Sequence, residues 1–206
     1  MTNDFYSNQT NQQQRSASNL IKTLNTNFMV FWIGLIAGFL LILPWGLAAM
    51  AKPADASFED INPTVAMPLI LMFYIGLIAL IFSTVFWGML HYQLWKLIPN
   101  GIARTTPGKA VGFMFIPLFN MFWVFVSCLG LSKDMNEAFR QRGLQYQVSE
   151  GLSQTFCILV IVGPLANLDP TGIIDTLLSV PIFIVTILFY KSVKDGAIAL
   201  LERGEQ

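Results

Sequence analysis

Side chains that commonly carry catalysis or bind metals are sparse in this chain of 206 residues. His91 is the only histidine, which excludes a metal or haem site built from two histidines. A haem held by His91 and a methionine is an alternative, but the spacing of the nine methionines favours none of them. The sequence therefore predicts His91 as a polar tip at the interface end of a long apolar helix.

Three other reactive side chains lie in or beside apolar segments. Cys128 and Cys157 each lie within an apolar run, which predicts two buried small side chains, with a disulfide as the alternative. Asp175 begins the last apolar segment, and an ionisable group at membrane depth is a functional candidate. Because Asp175 follows the turn NLDPTG by about one helical turn, we expect it to reach interfacial water.

Motifs of the common enzyme classes do not occur in the sequence. It contains no GxSxG, HExxH, Walker A, CxxC or dinucleotide-binding fingerprint. The run PGKAVG at 107–112 lacks the first P-loop glycine and the following Ser or Thr, so Lys109 is predicted to meet anionic lipid headgroups instead. Scattered polar residues such as Ser127 suit hydrogen bonds between helices. The sequence predicts a protein that is not an enzyme and has no cofactor or bound metal.

The composition predicts an all-α integral membrane protein. Hydrophobic residues make up 54% of the chain and charged residues 12%, against about 25% charged in a soluble domain. So little charge cannot cover a soluble body of this size, so lipid must be the solvent for much of the chain. The formal net charge is zero, which gives no field to attract nucleic acid.

The polar pattern divides the chain into a tail and a membrane domain. Residues 1–26 are rich in Asn, Gln, Ser and Thr and are predicted to be a disordered tail, with a membrane domain over 27–206. Four apolar segments are predicted to cross the membrane as helices, at about 28–50, 67–92, 152–168 and 173–190.

Two smaller features are expected within the membrane domain. In the first span, Gly34 and Gly38 form a GxxxG pair, which predicts close packing within the bundle in preference to dimerisation. A short amphipathic helix is expected at about 132–142, with Ser132 as its N-cap, Met135 and Phe139 on one face, and Gly143 after its end.

The apolar segment at about 111–131 is ambiguous. It is long enough to cross a membrane, but Pro117 and Asn120 lie near its middle, in FIPLFN. If it crosses, five basic residues lie on the cytoplasmic side and seven outside; if it turns back, eleven lie inside and only Lys52 outside. Because cytoplasmic loops carry the excess of Lys and Arg, we predict four spans plus a re-entrant or interfacial hairpin, with both termini cytoplasmic.

The stretch 95–136 carries a family signature. A basic loop, ARTTPGKAVGF, leads into FIPLFN and then into GLSKDMN. This stretch resembles a bacterial multi-pass membrane-protein family with a domain of unknown function, in which some relatives carry a GYF-like domain before the membrane part. The resemblance covers about a fifth of the chain and implies a bacterial inner-membrane protein with no assigned activity. Its motif marks six candidate residues without roles: Arg104, Pro107, Lys109, Pro117, Asn120 and Trp123.

The sequence predicts a non-enzymatic scaffold or accessory module that acts through its cytoplasmic basic face. Its expected partners are membrane lipids and an unidentified membrane or cytoplasmic protein. The alternative is a transporter or binder of small hydrophobic molecules or lipids, because transporters build sites from broken helices like the one expected at Pro117. A lipid-modifying enzyme ranks last, since no nucleophile–base pair is evident in the sequence.

Overall fold

A computed structural model describes residues 2–50, 62–166 and 173–203 of the protein. The predicted topology of four spans with both termini inside puts two loops on the outer side, an acidic loop after the first span and the turn NLDPTG. Residues 51–61 of the acidic loop, the turn at 167–172 and the side chain of Asp175 lie outside the described part of the chain. All regular secondary structure within the described ranges is helical.

The helices follow one another in two groups. Four long helices are α1 (Thr2–Met50), α2 (Pro63–Lys96), α6 (Glu150–Ala166) and α7 (Ile173–Arg203). Between α2 and α6 lie α3 (Pro107–Gly112), a 3₁₀ turn (Phe113–Phe115), α4 (Phe119–Val124), a π-helical segment (Phe125–Leu129) and α5 (Gly130–Gln141).

Three stretches of helix within the described residues are long and apolar enough to cross a membrane. They are Gln9–Ala48, Pro63–Lys96 and Leu177–Glu202. The fourth predicted span corresponds to α6, whose apolar part, Glu150–Pro164, is shorter. At about 1.5 Å per residue, such a helix is shorter than a hydrocarbon core of about 30 Å. Length and composition therefore support three spans, and the count of four stays a prediction.

The N-terminal segment differs from its prediction. Residues 2–26 are helical and continuous with the apolar part of α1, where the composition suggested a disordered tail. Extending an existing helix needs no new nucleus, so the polar residues that precede the apolar part of α1 can continue its helix toward the N-terminus. Tertiary contacts also hold this segment, since Leu24 is fully buried and Lys194 Nζ donates to Asn25 Oδ1 at 2.9 Å.

The chain forms two compact units, one of residues 26–89 and one of residues 1–25 with 90–206. In the first unit, α1 and α2 approach closely at glycines. A Cβ on Gly38 would lie 2.7 Å from Leu80 Cγ and 3.1 Å from the carbonyl oxygen of Gly76. The Ser83 hydroxyl donates to the Phe31 carbonyl oxygen at 2.8 Å across the same contact. The prediction that the GxxxG pair packs within the chain is confirmed.

Outward-facing side chains in this first unit are large and apolar. Ile33, Leu40, Leu71 and Ile81 are each more than 60% exposed. Soluble monomers rarely expose apolar patches larger than a few hundred Å², because water disfavours them. These surfaces are suited to contact with lipid.

The core of the second unit lies among α5, α6 and α7. Phe156 of α6 stacks on Phe189 of α7 with ring centroids 4.6 Å apart. Met135 and Phe139 are buried on one face of α5, as predicted. Opposite them, a Cβ on Gly196 would lie 2.8 Å from the Met135 sulfur, so this position holds only a glycine without rearrangement.

The start of α5 differs from its prediction, whereas its end agrees. Ser132 is not an N-cap, because the π-helical segment runs directly into α5 and places Ser132 inside the helix. Its hydroxyl instead pairs with that of Ser153 on α6 at 2.5 Å. After α5, Gly143 has φ +67°, and the Leu144 amide donates to the Phe139 carbonyl at 3.0 Å, closing the helix end.

The apolar segment at 111–131 reverses direction. The Trp123 indole and the Ser127 hydroxyl both donate to the Ala110 carbonyl oxygen, at 3.3 and 2.9 Å. A straight helix would separate positions 110 and 127 by about 25 Å. The break lies at Ile116, which is extended, and Leu118, which has φ +63°. Pro117 explains the extended residue before it, because its ring disfavours helical geometry there.

Candidate functional site

An open groove lies between the end of α2 and the first turn of the hairpin. We call it the basic groove, and its volume is about 590 Å³. Its lining residues are Trp95, Lys96, Ile98, Asn100, Ala103, Arg104, Thr105, Thr106, Pro107, Lys109, Phe113 and Trp123. Thr106 caps α3 by accepting from the Lys109 amide, and Pro107 occupies the first helical turn, which fixes where Lys109 lies.

The charges that line the basic groove are all positive. Lys96 and Lys109 are exposed, and neither forms an ion pair with any residue in the described ranges. The third cation is Arg104. Since no carboxylate is among the lining residues, the groove is suited to an anion.

Asp134 of α5 holds Arg104 in place behind the groove. The carboxylate accepts from Arg104 Nε at 2.8 Å, from Nη2 at 2.5 Å and from the backbone amide at 2.9 Å. The Asp134 side chain is 6% exposed and that of Arg104 is 42% exposed. The Arg104 side chain also lies over Gly130, where a Cβ would come within 2.8 Å of Cδ. This contact ties the loop after α2 to α5.

The structure brings together four of the six residues marked by the family signature. Arg104, Pro107, Lys109 and Trp123 line the basic groove. Pro117 and Asn120 do not, because they lie at the reversal of the hairpin. The Asn120 backbone amide donates to the Ile116 carbonyl at 2.9 Å, whereas its side-chain oxygen is buried without a hydrogen-bond partner among the described residues.

A buried polar cluster joins the end of α2 to the hairpin and to α7. His91 Nε2 lies 2.7 Å from the Ser127 hydroxyl, and Nδ1 lies 3.4 Å from the Tyr190 hydroxyl. The Trp95 indole donates to the Ser127 carbonyl at 3.1 Å. His91 is fully buried, so its prediction as an interfacial tip is wrong. The sequence indicated a hydrogen bond for Ser127, but no local pattern connects it to a residue 36 positions away.

The Ser127–His91 pair lies in the protein interior, where both side chains are fully buried. The Ser127 hydroxyl lies 2.9 Å from the Ala110 carbonyl oxygen and 2.7 Å from His91 Nε2. When the serine proton lies on the Ala110 carbonyl, Ser127 accepts a hydrogen bond from His91 Nε2. A general base would instead accept the serine proton. Nδ1 is then the acceptor for Tyr190, which satisfies both ring nitrogens. Ser127, His91 and Tyr190 are all fully buried.

Cys128 and Cys157 are both buried and both free. The Cys157 thiol donates to the Val124 carbonyl of the hairpin at 3.5 Å. The prediction of two buried small side chains is confirmed, and the disulfide alternative is wrong.

A second open groove lies on the exposed face of α5, with a volume of about 510 Å³. We call it the α5 groove, and it is lined by Lys133, Asn136, Glu137, Arg140, Leu144, Gln145, Tyr146, Gln147 and Glu150. Asn136 shapes it, because its side chain accepts from the Val148 amide at 2.8 Å and donates to the Val148 carbonyl at 3.0 Å. Partial burial, and secondarily the Asp195 carboxylate, raise the pKa of Tyr146.

In the part of the chain that the structure describes, no group of three or more His, Cys, Asp or Glu side chains could hold a metal ion. Comparisons of the sequence with protein-family models and curated proteins, and of the structure with solved structures, find no match. The family resemblance of the stretch 95–136 therefore stays a prediction.

Proposed function

We propose that this protein is a non-enzymatic module of the bacterial inner membrane that supports a partner protein from the cytoplasmic face. The observation that carries this proposal is the α5 groove, a surface with a fixed shape. Asn136 also donates to Glu150 at 3.0 Å, so one side chain holds the far wall of the groove at two residues. A preformed surface loses less conformational entropy on binding than a flexible one does.

The distribution of basic residues supports the cytoplasmic placement. Eleven of the 12 Lys and Arg residues belong to the unit of residues 1–25 and 90–206, and the remaining one is Lys52. Within that unit, Asn25 of α1 meets Lys194 of α7, and His91 near the end of α2 meets Tyr190 of α7. The polar ends of three long helices thus gather at one place, which favours both termini on the positive, cytoplasmic side.

The charges of the α5 groove suit a protein partner. Lys133, Glu137 and Arg140 present both signs of charge along one helix face, and Glu137 pairs with Arg140 at 2.6 Å. Mixed charges of this kind set the orientation and specificity of a complex more than its affinity.

The transporter alternative has less support. Its argument depended on a site at the broken segment, yet Pro117 lines neither groove. The cluster of His91, Ser127 and Tyr190 is the arrangement most similar to a proton relay. Its side chains are fully buried and are hydrogen bonded to one another and to the Ala110 carbonyl.

Site-specific photo-crosslinking in membranes tests the proposal. With p-benzoylphenylalanine replacing Gln147 in the α5 groove, we expect one adduct of defined mass. The same replacement at Gly101, which is exposed with open space around it, serves as the control and should give no such adduct. Charge reversal by Arg140→Glu should lower the adduct yield severalfold, because it replaces the cation beside Glu137 with a second negative charge. Equal adducts at both positions, or none at Gln147, would contradict a partner at this face.

A further inference from the structure

We infer that the basic groove binds the phosphate of an anionic phospholipid, with the acyl chains along the apolar tip of the hairpin. This inference rests on the membrane placement in the proposed function, but not on a protein partner. It assigns a ligand class to a groove that is distinct from the α5 groove.

Uncompensated charge in the groove comes from two lysines. Asp134 neutralises the charge of Arg104 and holds its side chain in place. Arg104 therefore lines the groove as a hydrogen-bond donor and adds no net charge to it. Lys96 and Lys109 face the same space without a carboxylate partner among the described residues. Two free ammonium groups can each donate to an oxygen of a negatively charged phosphodiester, and the Thr105 and Thr106 hydroxyls add neutral hydrogen-bonding groups.

The groove has the position expected of a lipid headgroup. Lys96 is the last residue of α2, a helix of membrane-spanning length, so it lies where an apolar helix meets the polar interface. Trp95 and Trp123 also line the groove, and indole rings are enriched at this depth. A site for a soluble phosphate compound would not have to lie at the membrane interface.

An apolar path leads from the groove to the hairpin tip. Phe113 and Trp123 line the groove with ring centroids 4.8 Å apart, and Phe119 stacks on Trp123 at 5.4 Å. Beyond them, Leu118 is 84% exposed and Phe122 is 63% exposed. Large exposed apolar side chains that continue a basic groove give the amphipathic shape of a phospholipid site.

Native mass spectrometry of the full-length protein tests the inference. Phosphatidylglycerol and phosphatidylcholine with the same acyl chains are added in equal amounts, and we expect one retained phosphatidylglycerol. In the double variant Lys96→Gln and Lys109→Gln, the preference should fall about 25-fold, from about fivefold for each lysine beside an anionic lipid. The conservative pair Lys96→Arg and Lys109→Arg should keep it.

A matched control separates the groove from general surface charge. Lys133 and Lys191 are exposed and lie outside the groove, so Lys133→Gln with Lys191→Gln removes the same charge. An equal loss of preference in this control, or no preference in the wild type, would overturn the inference. Displacement of the lipid by millimolar glycerol phosphate would assign the groove to a soluble phosphate compound instead. Crosslinking at Gln147 does not involve Lys96 or Lys109, which line the basic groove and not the α5 groove, so the two proposals fail independently.

Discussion

Single side chains connect distant parts of the 90–206 region. Asp134 is the clearest case, since it binds both the backbone and the guanidinium of a residue 30 positions earlier. Helix rules explain Asp134 only as an acidic residue near the start of a short helix, because they consider the helix end and neighbours three or four residues away. Its partner, Arg104, is apparent only in the structure, where the loop after α2 packs against α5.

Replacement of Asp134 tests this connection. We expect Asp134→Ala to lower the free energy of unfolding by about 2 kcal/mol, because it leaves the Arg104 amide and guanidinium without their acceptor. Glu137→Ala removes an exposed partner of Arg140 on the same helix and should change stability much less. Denaturant unfolding in detergent micelles measures both variants. Equal effects of the two variants would contradict the role of Asp134 in holding the loop.

The His91–Ser127–Tyr190 cluster shows the same limit of sequence reasoning. No nucleophile–base pair is evident in the sequence, because His91 and Ser127 lie 36 positions apart. The structure brings them within 2.7 Å of each other at a place where both are fully buried. That burial favours a structural role for the cluster.

At the scale of elements, glycine spacing and proline position were reliable guides. Gly34 and Gly38 predicted close helix packing, and the structure has it, because a Cβ would be tight at Gly34 and would clash with Leu80 at Gly38. Pro117 predicted a break, and the chain reverses at 116–118. These signals are local, since each follows from the shape of one residue. The depth of the hairpin in the bilayer stays a prediction.

Glycine substitutions in α1 provide an element-scale test. Gly38→Ala should lower the free energy of unfolding by about 1 to 3 kcal/mol, because its Cβ would lie 3.1 Å from the backbone oxygen of Gly76 and closer still to Leu80. Gly46→Ala is the matched control, since nothing lies within 4 Å of a Cβ there. Thermal unfolding in micelles compares the two. If Gly46→Ala destabilised the protein as much as Gly38→Ala, helix packing would not be the cause.

At the scale of the whole molecule, the distribution of Lys and Arg residues is the main evidence for the proposed topology. A hairpin at 111–131 puts eleven basic residues on one side, and the unit of residues 1–25 and 90–206 contains those same eleven. The proposed topology thus agrees with contacts that charge counting did not use, such as Lys194 with Asn25.

Cysteine labelling tests this topology. In a variant without Cys128 and Cys157, single cysteines replace Gly108, before the hairpin, and Lys133, after it. We expect a membrane-impermeant maleimide to label both only after cell lysis, because both should face the cytoplasm. A cysteine at Asp55, in the acidic loop, should react in intact cells. Labelling of positions 108 and 133 from opposite sides would contradict the hairpin and the shared side of the termini.

The sequence by itself determined the helical class of this protein and its apolar helices of membrane-spanning length, because both follow from average composition and from runs of apolar residues. It also determined the break at Pro117 and the close packing at Gly38, since these depend on one residue and its neighbours. Only the tertiary structure decided that the 2–26 segment is helix, that Ser132 lies within one, and that Arg104, Lys109 and Trp123 share a groove. Those outcomes depend on contacts between residues far apart in the chain, and such contacts form only where several elements meet.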